Sequence, residues 1–316
     1  MTSSDVVVIG GGAAGLSAAL MLARSRRSVV VVDAGEPRNA PAAGVHGFLS
    51  RDGMPPGELL SQGRAEVRGY GGELLPGEVA TVSRAGDGFV VRLTDGRELA
   101  ARRVLVATGL VDELPAVPGL RERWGRDVLH CPYCHGWEVR DQAIGILATG
   151  PRSVHQALLF RQLSSDVTFF THTGSLSDDD AERLAARDIR VVDGEVAAVE
   201  VAGDRLVGVR LADGTMVPRA AVAVAPRMSA RAGFLAELGL QPEEHPAGGG
   251  TFVPGDAAGR TAVPGVWVAG NVTDLSAQVG AAAAAGAFAA AQINFDLVEE
   301  ETRLAVAAAR DLREAG

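Results

Sequence analysis

The chain has 316 residues, 47% apolar and 22% charged, which excludes a disordered polymer and, at roughly 150 residues per domain, points to two domains. Its 39 acidic and 30 basic residues leave a net charge of −9, which excludes nucleic acid as the main partner, because phosphate recognition needs a positive footprint. All 30 cations are arginine, so a Walker-A lysine, a Schiff-base lysine and a kinase lysine are excluded as well.

Residues 1–5 carry no basic segment, and the apolar run at 6–9 ends at once in glycines. No signal peptide is expected, and the protein is expected to be cytoplasmic. Residues 5–9 form a buried strand, Gly10 to Gly15 spell G-x-G-x-x-G, residues 16–25 read as helix, and a second buried strand at 29–32 ends in Asp33. This strand, glycine turn, helix, strand and acid is the pattern of a dinucleotide fold. Gly10, Gly12, Ala13, Ala14 and Gly15 would let a pyrophosphate approach the backbone at the helix N-terminus, and Asp33 would accept from a ribose.

The unit then recurs. A strand at 144–147, a turn at 148–153, a helix at 154–163 and a strand at 167–170 place Ala148 at the position of Gly10, Gly150 at that of Gly12, Ser153 at that of Gly15 and Thr171 at that of Asp33. The hairpin signals recur too, Asp95-Gly96 after Gly77-Glu78-Val79 and Asp213-Gly214 after Gly194-Glu195-Val196. The second nucleotide site is impaired, since Ala148 replaces a glycine, Pro151 removes a backbone N–H, and Thr171 leaves no carboxylate. No arginine follows near His172 for a 2′-phosphate, so nicotinamide binding there is expected to be weak or absent.

Two further small-residue turns, Ala107-Thr108-Gly109 after a strand at 104–106 and Gly270-Asn271 after one at 265–269, complete the first unit. An Ala-rich helix from about 278 to 293 and a separate helical segment at 299–313 follow, the latter for packing or a dimer contact. The longest apolar stretch, 280–291, is shorter than the about 20 residues a bilayer span needs, so no membrane partner is expected.

The only cysteines, Cys131 and Cys134, share one C-x-x-C flanked by His130 and His135. The string matches a c-type haem attachment motif, but such attachment needs export. Zinc needs four ligands in a tetrahedron, which this spacing cannot easily supply. A structural thiol pair leaves the histidines without a role. A redox dithiol fits best, one thiol resolving the mixed disulfide made by the other. His135, beside Cys134, can exchange a proton near neutral pH; otherwise it is a polar capping residue. A dithiol that passes electron pairs onward needs a cofactor, and the first site suits FAD as well as NAD.

These motifs in this order, over essentially the whole chain, resemble the low-molecular-weight thioredoxin reductases. The resemblance implies an α/β fold of two Rossmann-like, three-layer ββα domains with β-meanders, the second inserted in the first. The FAD-binding domain would comprise 1–115 and 232–316, and a degenerate NAD(P)H-binding-like domain with the redox pair would comprise 116–231. It implies a homodimer. Gly270, Asn271, Gln278 and Val279 would lie at the FAD ribityl chain and ring, and Ala107, Thr108 and Gly109 near the pyrophosphate. Asp33, Ala34, Arg38 and Asn39 would lie at the adenosine end or the loop after it, His46 would approach the ring, and Val79 is counted with the cofactor-binding positions.

Three departures stand out: Asn271 for an aspartate, His135 for an acid after the second cysteine, and no basic stretch for the NADPH phosphate. They resemble the flavin-dependent dithiol oxidases that close disulfides in small natural products such as holomycin and gliotoxin. The expected activity is oxidation of a small-molecule dithiol with O2, through Cys131, Cys134 and His135. A thioredoxin reductase-like NADPH enzyme and a flavin-binding redox sensor are the alternatives.

Overall fold

The computed structural model describes residues 3–314; residues 1, 2, 315 and 316, at the ends of the expected first domain, lie outside them. β1 (Ser3–Ile9), α1 (Ala13–Arg24) and β2 (Val29–Asp33) form the first parallel unit, with Val7 paired to Val30. α2 (Pro56–Gly69) leads to β3 (Glu73–Pro76), which extends the sheet beyond β2. β4 (Val79–Ala85), β5 (Gly88–Leu93) and β6 (Glu98–Val106) make an antiparallel meander, with Gly96 at φ +88° in the tight turn before β6.

Alternation along β1 explains the layers. Val6 and Val8 face the helices, whereas Val7 and Ile9 face the meander residues Val82, Phe89 and Val91. All four are essentially inaccessible, so the unbroken apolar run is what a sheet covered on both faces requires.

β7 (Leu110–Glu113) leads out of this unit. α3 (Leu120–Arg123), β8 (Val128–Leu129) and α4 (Pro132–His135) precede the second parallel unit of β9 (Ile144–Leu147), α5 (Arg152–Phe160), β10 (Val167–Phe170), α6 (Asp178–Ala185) and β11 (Arg190–Val192). A second meander, β12 (Val196–Ala202), β13 (Arg205–Leu211) and β14 (Met216–Pro218), is followed by β15 (Ala221–Val224). The sheet order is β11-β10-β9-β15-β8, all parallel. β16 (Arg227–Ala230) then pairs antiparallel with β7, so outgoing and returning strands form one ribbon.

After the short hairpin β17 (Glu243–Glu244) and β18 (Thr251–Phe252), β19 (Val266–Val268) returns to the first sheet and pairs parallel with the end of β6. The parallel part is therefore β3-β2-β1-β6-β19; β11-β10-β9-β15 repeats its first four strands, while the fifth, β8, precedes its unit in the chain where β19 follows, and the expected α/β class with two Rossmann-like units and meanders is present.

The C-terminal helices expected at 278–293 and 299–313 are one helix, α7 (Val279–Glu314). Residues 294–298 contain neither glycine nor proline, so nothing breaks it. Arg103 binds Asp296 at 2.6 Å and Arg102 binds Glu300 at 2.9 Å along its middle. By length and composition alone α7 could cross a bilayer, contrary to the expectation of an apolar run too short to do so. Its small face nevertheless packs on α1: a Cβ on Gly286 would lie 1.9 Å from the Ala14 carbonyl oxygen. Of the segment expected to serve packing or a dimer contact, Glu300 and Glu301 are ion-paired to Arg102, Arg103 and Arg27 of the same chain, and residues 302–314 are exposed.

Candidate active site

One cavity of about 900 Å³ opens at the C-terminal ends of β1, β2 and β6. It is lined by the β1–α1 turn, the loop that follows β2, the Thr108 turn, Gly270-Asn271, the start of α7 and both cysteines.

The glycines of the first turn divide the work. Gly10 has φ +109°, and a Cβ there would sit 2.3 Å from the Ala107 carbonyl oxygen, so two strand ends meet only because the side chain is absent. Gly12 has no atom within 4 Å of its Cβ position and faces the open cavity at the start of α1. Gly15, expected beside the cofactor, does not line the cavity. Its Cβ would stand 1.8 Å from the Gly10 carbonyl oxygen, so it packs the helix on the turn.

Asp33 Oδ1 accepts from the Gly11 N–H at 3.2 Å and the Gly35 N–H at 3.3 Å, and its Oδ2 accepts from Arg64 of α2 at 3.0 Å. Ala34, Asn39 and Val79 line the same end, with Ala13 and Ala14 beside the turn. Arg38 reaches elsewhere: its guanidinium clasps both oxygens of Asp112 on β7 at 2.7 Å and contacts Asn271 Oδ1 at 3.4 Å. Asn271 Nδ2 donates to the carbonyls of Asp274 and Ala277, both at 2.9 Å, and so shapes the turn that delivers Gln278 and Val279 to the cavity. An aspartate could not make those two donations. Thr108 Oγ1 donates to the Arg231 carbonyl at 2.6 Å, so the Ala107-Thr108-Gly109 turn is tied to the returning chain.

Cys131 stands at the start of α4 and is joined to Cys134 by a disulfide, with Cα atoms 5.2 Å apart. Both cysteines, His130 and His135 line the cavity. Burial pushes the His135 pKa below the ordinary imidazole value; the Glu138 carboxylate pulls it up and His46 pushes it down. Its Nε2 is buried without a hydrogen-bond partner. Burial, reinforced by the Arg38 charge, pushes His130 down to about 4. His46, expected to approach a ring, lines the cavity, but its imidazole stands between two carboxylates, Asp52 at 3.5 Å and Glu138 at 3.4 Å.

A dinucleotide cradle and a redox disulfide thus share one cavity. The chain belongs to the pyridine nucleotide-disulphide oxidoreductase family. The family model matches residues 4–291. The chain is 32% identical over 309 residues to the thioredoxin reductase sirT of Leptosphaeria maculans, covering 92% of this chain and 93% of that one. It is 32% identical over 183 residues to a probable thioredoxin reductase of Arthroderma benhamiae, spanning 45% of that protein's length. The crystal structure of HlmI superposes with a TM-score of 0.93 at 53% identity, covering 98% of each chain. A putative thioredoxin reductase TrxB from Bacillus anthracis superposes at 0.87 with 31% identity, covering 94% of this chain and 99% of that one.

This oxidoreductase is a flavin-dependent disulfide enzyme of an FAD-binding family, and its cavity fits that group. The cradle is open at Gly12, at the N-terminus of α1, where a pyrophosphate needs backbone N–H groups. Sequence reasoning named His130 beside Cys131 without a role and missed Arg64, Asp112 and Glu138. Glu138 carried a signal in its place three residues after His135; Arg64 and Asp112 are joined to the site across loops.

A second cleft of about 540 Å³ marks the matching place in the oxidoreductase's other unit, lined by Ala148, Gly150, Pro151, Thr171 and His172. Its polar groups are turned inward. The fully buried Ser153 accepts the Thr149 N–H at 3.0 Å, Thr149 Oγ1 donates to the Ala225 carbonyl at 2.6 Å, and His172 Nδ1 accepts the Val196 N–H at 3.0 Å.

Proposed function

We propose that this protein is an FAD-dependent dithiol oxidase that closes an intramolecular disulfide in a small molecule and passes the electrons to O2. The observation that carries this reading is the pairing of a disulfide on the cofactor cavity with a second cleft whose turn has Pro151 in place of an N–H donor and Thr171 in place of a carboxylate. Electrons then enter through the cysteines, not through a nicotinamide.

In this reading residues 1–115 and 232–316 form the FAD domain and 116–231 the degenerate domain. Gly10, Gly12, Ala13 and Ala14 receive the pyrophosphate, Asp33 and Ala34 the adenosine end, and Asn271, Gln278 and Val279 the ribityl and ring end. FAD, when bound, supplies a two-electron acceptor that O2 can reoxidise. A substrate thiolate attacks Cys131 and forms a mixed disulfide. The second substrate thiol displaces Cys131, closing the ring and leaving both cysteines reduced. His135 is neutral at physiological pH because it is buried, so its free Nε2 can take a thiol proton. Overall, one dithiol and one O2 give one cyclic disulfide and one H2O2.

The protein is read as a cytoplasmic homodimer. Phe288 and Phe295 of α7, two turns apart, are 52% and 59% exposed, which supports a second copy there. A thioredoxin reductase-like NADPH enzyme is the second reading, favoured by the retained cleft at Ala148–Pro151 and by the names of the relatives. Anaerobic addition of NADPH, NADH or a small dithiol to the FAD-loaded protein separates them. Bleaching by the dithiol alone, reversed by air with peroxide release, is expected. Rapid bleaching by NADPH overturns the oxidase reading, and bleaching by none of them, with no turnover in air, leaves a redox sensor.

A further inference from the structure

The cavity wall that leads to the disulfide follows one stretch of the inserted unit, from Trp124 to Cys131, and it begins with an indole. The neighbours of Trp124 hold it in place. Arg123, itself buried, donates to the two carboxylate oxygens of Asp127 at 2.7 and 2.6 Å and to Asp204 at 2.7 Å. The Gly125 N–H donates to the Val128 carbonyl at 2.9 Å, and the Trp124 backbone bridges to Val128. From Val128 to Cys131 is three residues, a reach of at most about 11 Å. The indole rests partly on the core of the inserted unit and presents the rest of its surface to the cavity. Gly125 has φ +79°, and a Cβ there would stand 2.7 Å from the Pro41 Cβ, so the two units touch beside the indole. A rigid flat face is thus built into the cleft between the units, on the same wall as the redox pair.

We propose that Trp124 selects the dithiol: its indole stacks on a flat, uncharged ring while the thiols carried by that ring reach Cys131. The inference rests on the dithiol-oxidase reading and assigns a specificity-determining residue to it. Stacking on an indole rewards a flat ring beyond the area it buries, and a face that is already fixed loses little entropy when it is covered. The rest of the wall offers a charged substrate nothing. Val128 and Leu129 are apolar, and His130 is neutral at physiological pH because burial, with the Arg38 charge, holds it down to about 4. Arg38, on the facing loop, has its guanidinium clasped by Asp112. A carboxylate carried in on the substrate would lose its water here and gain no free countercharge.

Two dithiols that close the same size of ring test this: 1,2-benzenedimethanethiol, built on an aromatic ring, and dithiothreitol, which has hydroxyls instead. Peroxide release by the FAD-loaded protein in air gives KM and kcat for each. Trp124→Ala should raise KM for the aromatic dithiol at least about tenfold with kcat held within about twofold, and should leave both constants for dithiothreitol within about twofold. Trp124→Leu keeps apolar bulk on the core without the flat ring, so it should show the same split even where the alanine variant fails to fold. Trp124→Phe should return most of the aromatic KM. FAD affinity should be unchanged in the leucine and phenylalanine variants. The wild-type protein should prefer dihydrolipoamide to dihydrolipoate, which carry the same dithiol and differ by a carboxylate, at least about tenfold in kcat/KM. Equal losses on both ring-closing dithiols, or weakened FAD binding, make the indole a structural or cofactor contact and overturn the proposal. So does a wild-type protein indifferent to ring and charge. Wild-type protein that yields no peroxide from any of these dithiols overturns the oxidase reading, and the role of Trp124 with it.

Discussion

The Ser153 hydroxyl accepts the backbone N–H of Thr149 at 3.0 Å, at the position where the first unit commits the Gly11 N–H to Asp33 at 3.2 Å. The two turns differ two residues further on: Pro151 has no N–H where Ala13 has one, so the second turn offers a phosphate one donor fewer. NADPH and NADH are therefore expected to leave the flavin unbleached, with dissociation constants above about 1 mM by calorimetry. Ser153→Gly frees the Thr149 N–H but leaves Pro151 without a donor and Thr171 without a carboxylate. A single substitution that restored tight NADPH binding would contradict this account.

Gly12 and Gly15 lie three residues apart and should fail differently. Gly12→Ala puts a methyl into empty cavity space at an ordinary φ of −81°, so the apo protein should melt unchanged while FAD affinity falls at least about tenfold. Gly15→Ala drives a methyl onto the Gly10 carbonyl and should cost about 2–3 kcal/mol of stability before any cofactor is added. Thermal melts of apo and FAD-loaded protein read both effects.

Cys134→Ser should retain FAD and lose dithiol-dependent peroxide formation by at least about a thousandfold, because no disulfide remains to accept the substrate's electrons. Cys131→Ser should do the same; offered a small disulfide instead of a dithiol, the free Cys131 thiolate of the Cys134→Ser variant should displace one of its sulfurs and form a mixed disulfide at Cys131, which the Cys131→Ser variant cannot form, a difference mass spectrometry resolves.

His130 gives the acid limb of stability a defined slope. Its pKa in the fold is pushed down to about 4, below the ordinary value of 6.5. Below 6.5 the unfolded chain binds a proton that the folded chain refuses. The contribution of the neutral imidazole is therefore complete above 6.5 and is lost progressively as the pH falls towards 4. The loss amounts to about 2–3 kcal/mol. His130→Gln should remove that part of the slope in urea unfolding compared at pH about 7.5 and about 4.5.

The first cradle was readable because its elements are consecutive: Ile9, Gly10 to Gly15 and Asp33 fall within one strand–helix–strand unit, where hydrophobic period and glycine spacing report directly on geometry. The second unit was readable by its likeness to the first. What escaped was long-range. Arg38 and Asp112 lie 74 residues apart, and no periodicity records that a loop guanidinium reaches a connector strand. Arg64 lies 31 residues from Asp33 and looks like any solvated helix cation. The continuity of α7 escaped for a different reason: a drop in apolar content at 294–301 resembles a helix end, whereas Asp296, Glu300 and Glu301 are matched to Arg102 and Arg103 of the first sheet.

The final strand of the first sheet has a consequence for how the chain is made. Val104 of β6 pairs with Val266, and the whole of the other unit lies between them. On the ribosome β6 leaves an unpaired edge until synthesis is nearly complete, and the wall formed by Gly270, Asn271 and Gln278 arrives later still. The inserted unit has all its own strands by then and can fold first. FAD capture must therefore be a late, post-release event. Nascent chains in which residue 224 has emerged but residue 266 has not should have a protease-resistant inserted unit, an aggregation-prone first unit and no yellow colour.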